Sequence, residues 1–251
     1  MPIEREVTNV ASLLETVRSV CKGFGRTVYW FRGHAQADWR LVPSVLRDYA
    51  TDSERNLMGR FRMAAPTRYE KCPEIDDVAS WICLMQHFGL PTRLLDWTAS
   101  LLAAAFFAVS YDPPRPGPAA IWVLVPSELN KASPHAADIT FLIHGPEARP
   151  LLRIAFDGGA PVDTVLALLG QDVDLRMTVQ QGAFTLHGNE SPLELKAGAD
   201  KFLAKMIIPE AAKAVFDDEL WVLGVRRSGL FPDLGNLAKD LASDSRLIPK
   251  R

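Results

Sequence analysis

The chain has 251 residues, of which 48% are hydrophobic and 23% charged, and its formal net charge is −2. This balance fits one large globular domain with a substantial core and excludes a strongly charged, disordered chain. A charge so near zero gives no global electrostatic footprint for nucleic acid or an anionic membrane.

Cys21, Cys72 and Cys83 form no CxxC pair, and their odd number argues against a disulfide framework. A reducing, cytoplasmic setting is expected. The opening MPIEREVTNV lacks the basic and apolar regions of a secretory signal. The longest apolar run, residues 101–109, is too short for a membrane span, so no membrane partner is expected.

Val10, Leu13, Leu14, Val17, Val20 and Cys21 recur at helical spacing, with Thr8 or Asn9 as cap and Gly23 and Gly25 as stop. TVYWFRG, residues 27–33, is β-branched and aromatic and predicts a strand. After a break at Pro43 and Ser44, Ser53 can cap a helix carrying Leu57 and Phe61. Asp76 or Asp77 opens the next helix, with a stripe of Val78, Trp81, Ile82, Met85 and Phe88 before Gly89 and Pro91. Residues 99–109 predict a helix capped by Thr98 or Asp96. It is apolar nearly all round, and so central. AAIWVLV, residues 119–125, follows a rigid PPRPGP loop and predicts an interior strand.

Further on, residues 161–170 read as helix, and residues 176–187 as a strand interrupted at Gly182. Residues 203–209 read as strand. Pro209 starts a helix reaching Leu223, and residues 233–243 close with another. Strands and helices interleave irregularly, which predicts an α+β fold on a mixed or antiparallel sheet with flanking helices. A lead-in over residues 1–24, a single core over 25–243 and a tail over 244–251 follow.

The densest chemistry lies in QHFGLPTRLLDWTAS, residues 86–100, and in WFRGH, residues 30–34. Polar groups held against a core must be paired or they cost stability. These segments are therefore a polar network or a working site. Arg32 can pair with a carboxylate, or present its planar fork to a phosphate. Gly33 permits close approach of a ligand or of backbone. His87 can close a helix or act as a base. Thr98 and Ser100 can cap a helix, or offer hydroxyls to a ligand at its N-terminus. Arg93 and Asp96 read as an internal ion pair. Gln180, Gln181 and Phe184 suggest a pocket wall, and Arg32, Asp96, Thr98, Ser100, Gln181 and Phe184 are expected to share one pocket. Cys83 and His87 stand at i, i+4 without a matching second pair, so no metal is expected.

Together these segments resemble the FRG domain, named for the triplet Phe31-Arg32-Gly33. The likeness takes in WFRGH, WRLVPSVLR (residues 39–47), residues 86–108, IWVL, QQGAFTLH and the late LFPDLGNLAKDL, from about residue 25 to 243. The FRG layout is similar to that of ADP-ribosyltransferases with a split sheet. The resemblance implies an enzyme that uses NAD as substrate and transfers ADP-ribose to a protein or nucleic-acid acceptor. It also implies a toxin or phage-defence setting with a cognate antitoxin. Arg32-Gly33 matches the NAD-binding Arg-Gly of the arginine-type members, and Thr98-Ala99-Ser100 their Ser/Thr-x-Ser element. The Glu of a later strand has no counterpart: Gln180 and Gln181 stand nearest, while Glu190 and Glu194 lie further on. The implied roles are NAD binding by Arg32, Gly33, Thr98 and Ser100, ring stacking by Phe184 or Trp30, ribose contact by Gln181, and a base at His87 or Asp96. A nucleotide- or partner-binding module without catalysis, and a nuclease or other hydrolase of a defence system, are the alternatives.

Overall fold

The computed structural model describes residues 2–24, 27–50, 53–110, 113–170 and 179–243. Eight strands form one sheet: β1 (Ile3–Glu6), β2 (Trp30–His34), β3 (Leu94–Thr98), β4 (Ala119–Leu124), β5 (Phe141–Leu142), β6 (Val165–Leu169), β7 (Gly182–His187) and β8 (Leu203–Ile208). Their order is β1-β8-β4-β2-β3-β7-β6-β5. The two outermost pairs, β1 with β8 and β5 with β6, are parallel, and the inner pairs are antiparallel. The fold is thus α+β with a mixed sheet, as the sequence predicts.

The middle of this sheet positions the candidate site. β2 and β4 share five register positions, and so do β3 and β7. β2 and β3 share only Phe31 opposite Thr98. Two four-stranded halves are therefore joined at one point and splay apart beside it.

Helices α1 (Val10–Phe24), α2 (Ser44–Asp48), α3 (Ser53–Ala64), α4 (Val78–His87), α5 (Leu101–Val109), α6 (Pro126–Lys131), α7 (Arg149–Asp157), α8 (Lys213–Val222), α9 (Arg227–Leu230) and α10 (Leu234–Ser243) flank the sheet. Asn9 caps α1 by accepting from the Ser12 N–H at 2.7 Å, and Asp77 caps α4 by accepting from the Ser80 N–H at 3.0 Å. α5 buries Ala103, Ala104, Ala105, Phe106 and Ala108. Strand alternation turns Phe31 and Gly33 toward this alanine-rich helix, and Arg32 and His34 the other way. A Cβ on Gly33 would stand 2.1 Å from the Ala104 carbonyl oxygen and 2.7 Å from the Ala108 nitrogen. The close approach that Gly33 permits is thus to helix backbone.

Several expectations need correction. Residues 161–170 are not a helix: Val165–Leu169 is the buried strand β6. A short run such as VLALL carries no periodicity to distinguish a two-face-buried strand from a helix. Neither Asp96 nor Thr98 caps α5. Both lie on β3, and the cap is Ser100, whose Oγ accepts from the Ala103 N–H at 3.2 Å. In α4 the apolar stripe broadens to a helix buried over Ala79–Met85 in unbroken succession, whereas Phe88 lies outside it and is exposed. The strand expected from residue 176 starts only at Gly182. Gln180 is helical, Gln181 turns the chain with φ 49°, and residues 176–178 lie outside the described residues.

The two glycines Gly33 and Gly59 separate packing from helix propensity. Gly33→Ala should cost at least about 2 kcal/mol, because the helix backbone it meets cannot yield as a side chain can. Gly59→Ala, in α3 with nothing within 4 Å of the added carbon, should stabilise by about 0.5–1 kcal/mol. Urea denaturation of both variants checks the contrast.

Candidate active site

The wedge between the splayed strands opens as a cleft of about 290 Å³. Its polar lining residues include Arg32, His34, Gln86, His87, Asp96 and Gln180, and its apolar ones Phe31, Trp39, Phe107, Ala183 and Phe184. Asp96 is the sole carboxylate lining the cleft among the described residues.

Arg32 is fixed from two sides. Its Nη1 donates to the Asp96 backbone carbonyl at 2.7 Å, and its Nε donates to His34 Nε2 at 3.0 Å. The Asp96 carboxylate stands 4.0 Å from Nη1. Because a guanidinium only donates, His34 must accept through Nε2 and carry its proton on Nδ1. Burial first, then the charge of Arg32, pushes the His34 pKa well below the ordinary imidazole value, against a backbone hydrogen bond with Trp39. His34 is therefore a neutral orienting group at pH 7. Burial also lowers the Arg32 pKa, with Asp96 opposing. With 24% of its side chain exposed, the fork is held yet still reaches the cleft.

A second chain of bonds also ends on Asp96. The Leu94 N–H donates to Thr92 Oγ1 at 3.0 Å, Thr92 donates to Gln86 Oε1 at 2.5 Å, and Gln86 Nε2 donates to Asp96 Oδ2 at 2.7 Å. The Asp96 side chain itself is 57% exposed.

Arg93 does not pair with Asp96. It is buried against Glu54 of α3, with Nε 3.0 and 3.1 Å from the two carboxylate oxygens and Nη2 also bonded, while Nη1 donates to the His187 carbonyl at 3.2 Å. The partner lies 39 residues upstream, beyond the reach of local spacing.

Thr98 and Ser100 are engaged by the backbone. Thr98 Oγ1 donates to the Gln180 carbonyl at 2.5 Å and accepts from the Ser100 N–H at 3.0 Å, and the Ala99 N–H donates to the Gln181 carbonyl at 3.1 Å. These bonds tie the turn before β7 to the end of β3. Arg32, Gly33, His87, Asp96, Thr98 and Phe184 come together in the cleft, whereas Ser100 and Gln181 are not among its lining residues. Gln181 is exposed, and Gln180 takes its place, with Nε2 donating to the Leu230 carbonyl at 2.8 Å. Trp30 is buried in the core with Trp97 and Trp122 and is unavailable for stacking.

His34, Trp39, Gln86 and Phe107 were missed as site residues. His34 and Trp39 sit in the same sequence segments as Arg32, which is the signal that marks them. Phe107 looks like any core aromatic in a helix, and Gln86 reveals its role only through contacts made by folding.

Among the described residues, no group of three or more His, Cys, Asp and Glu side chains stands together as a metal site. No described helix is long and apolar enough to cross a membrane. The cleft thus joins a fixed cationic fork, the Asp96 carboxylate and aromatic side chains, a set suited to a flat ring bearing an anionic or hydroxylated group.

The FRG domain family model matches residues 27–115. Over those residues the chain is similar to the FRG domain. The match includes β2, α4, β3 and α5, and with them Arg32, His34, Gln86 and Asp96. Gln180 and Phe184, from the turn before β7 and from β7 itself, complete the cleft from outside the matched FRG residues. No curated protein and no solved structure matches the chain.

Behind the cleft, Trp97 Nε1 donates to Thr185 Oγ1 at 3.1 Å, and that hydroxyl lies 2.9 Å from His187 Nε2. Burial, reinforced by Lys196, Arg32 and Arg93, lowers the His187 pKa from 6.5 to about 3. The unfolded chain therefore binds more protons between these values. The stability contributed is complete above pH 6.5 and is lost as pH falls toward 3. His34 acts in the same direction. Unfolding free energy from urea titrations should fall by on the order of a few kcal/mol between pH 7 and pH 4. His187→Gln should flatten that slope.

Proposed function

We propose that this protein is an NAD-dependent mono-ADP-ribosyltransferase. The single observation that carries the reading is the juxtaposition of Arg32 and Asp96 at the open split of the sheet. A cation able to grip phosphate or ribose oxygens stands beside the carboxylate of Asp96. Arg32 would hold the pyrophosphate or the nicotinamide ribose through paired donors. Phe184 would pack the nicotinamide ring.

The reaction needs little covalent help from the protein. The bond between ribose C1′ and the nicotinamide nitrogen breaks, and its electron pair passes to that nitrogen, neutralising the pyridinium. Positive charge grows at C1′ and its ring oxygen, where the Asp96 carboxylate offsets it in a partly dry site. The acceptor nucleophile forms the new bond to C1′ and releases its proton to Asp96 or His87. In this reading Asp96 does the work expected of a strand Glu, and Gln180 replaces Gln181 as the neutral contact. A protein side chain or a nucleic-acid base would serve as acceptor. A cytoplasmic toxin or phage-defence effector with a cognate antitoxin is the setting in keeping with this chemistry.

A nucleotide-binding module without catalysis is the second reading. It is favoured by the lack of any Glu among the lining residues and by the structural engagement of Thr98 and Ser100. Two measurements separate the readings. NAD should raise the melting temperature of the wild type by mass action. Arg32→Ala should weaken NAD binding at least about tenfold, and Arg32→Lys should restore it only in part, since lysine lacks the planar fork. Mass spectrometry of NAD incubated with the protein and an acceptor pool should show free nicotinamide and an acceptor carrying ADP-ribose. Binding without nicotinamide release selects the module. No binding at millimolar NAD ends both NAD readings.

A further inference from the structure

A carboxylate that must face a short-lived cation needs a fixed orientation, because a small misplacement forfeits much of the rate. Arg32 does not supply it. Its near N–H goes to the Asp96 backbone carbonyl, and the carboxylate lies 4.0 Å from Nη1. What holds the carboxylate is Gln86, through the 2.7 Å bond to Oδ2.

The direction of the Gln86 amide follows from its far end. Thr92 is fully buried, and its hydroxyl accepts from the Leu94 N–H. Its one proton is thereby directed to Gln86, so the amide oxygen faces Thr92 and the amide nitrogen faces Asp96. A chain anchored on a buried strand N–H thus ends on an exposed carboxylate. Folding does not require that last bond: a side chain 57% exposed would be solvated without it. Asp96 Oδ1 takes no hydrogen bond among the described residues and remains for a ligand.

We infer that Gln86, oriented by Thr92, is a positioning residue that holds Asp96 Oδ2 and presents Oδ1 to the ribosyl carbon. This rests on the transferase reading of the same cleft. In the step already described, Oδ1 faces C1′ as the electron pair leaves for the nicotinamide nitrogen, and it can then take the proton released by the acceptor.

The test measures nicotinamide release and NAD affinity on the full chain. Gln86→Met should lower kcat about 10- to 30-fold and change NAD affinity less than about threefold, the signature of a contact expressed in the transition state. Thr92→Val should lose a comparable factor, and Thr92→Ser, which keeps the hydroxyl, should recover most of it. In an Asp96→Asn background, Gln86→Met should cost less than about twofold more, because the two groups act as a unit. A merely structural Gln86 would cost the same factor with or without the Asp96 carboxylate. That outcome, or an unchanged kcat in Gln86→Met, overturns the inference and leaves the transferase reading standing. A wild type that releases no nicotinamide removes both.

Discussion

The single pairing of Phe31 with Thr98 between β2 and β3 is the constraint on which the rest of the structure depends. A sheet opened at its middle leaves backbone groups without the partners that an intact ladder would supply. Arg32 meets this demand by bonding the Asp96 carbonyl across the opening. One side chain thus closes the sheet and brings a guanidinium into the cleft that the opening creates. His34, neutral and buried, holds the other edge of the fork. On the opposite surface of β2, Gly33 lets α5 press against the strand, so β2 cannot shift without moving a buried helix.

β3 is held as firmly. At its start the buried Glu54–Arg93 pair joins α3 to the strand and reaches the last carbonyl of β7. Such a pair is a modest source of net stability, but losing one partner strands a charge in the core. At the end of β3, Thr98 ties the strand to the Gln180 turn. Between these anchors Asp96 is exposed, with Gln86 on its carboxylate and Arg32 on its carbonyl. Rigid ends around one accessible carboxylate are what a preorganised site requires.

Much of this is legible in the sequence, and the failures have physical causes. The strands at WFRGH, AAIWVLV and LAKMII and the apolar helix α5 declare themselves through β-branched and aromatic runs or an all-apolar stretch. LLDWT and VLALL do not, because short, mostly apolar runs fit either structure. The cleft residues Arg32 and Asp96 stand out as charges set among apolar neighbours. The partner of Arg93 could not be read, since Glu54 is joined to it by folding alone. Gln181 misleads because adjacent residues at a turn point in different directions, and only the φ of 49° shows that the chain turns there and puts Gln180 in the cleft. The hydroxyls of Thr98 and Ser100 match a ligand-binding motif by type, yet in the fold they serve strand and helix ends.

The account comes down to whether the split of the sheet receives the nicotinamide ribosyl end of NAD. A crystal structure with a hydrolysis-resistant NAD analogue tests this most directly. The account predicts the ring against Phe184, with the ribosyl carbon between the Arg32 guanidinium and the Asp96 carboxylate, and Gln181 clear of the ligand. An analogue bound elsewhere, or lying in the cleft with its ribose turned away from Asp96, would contradict it.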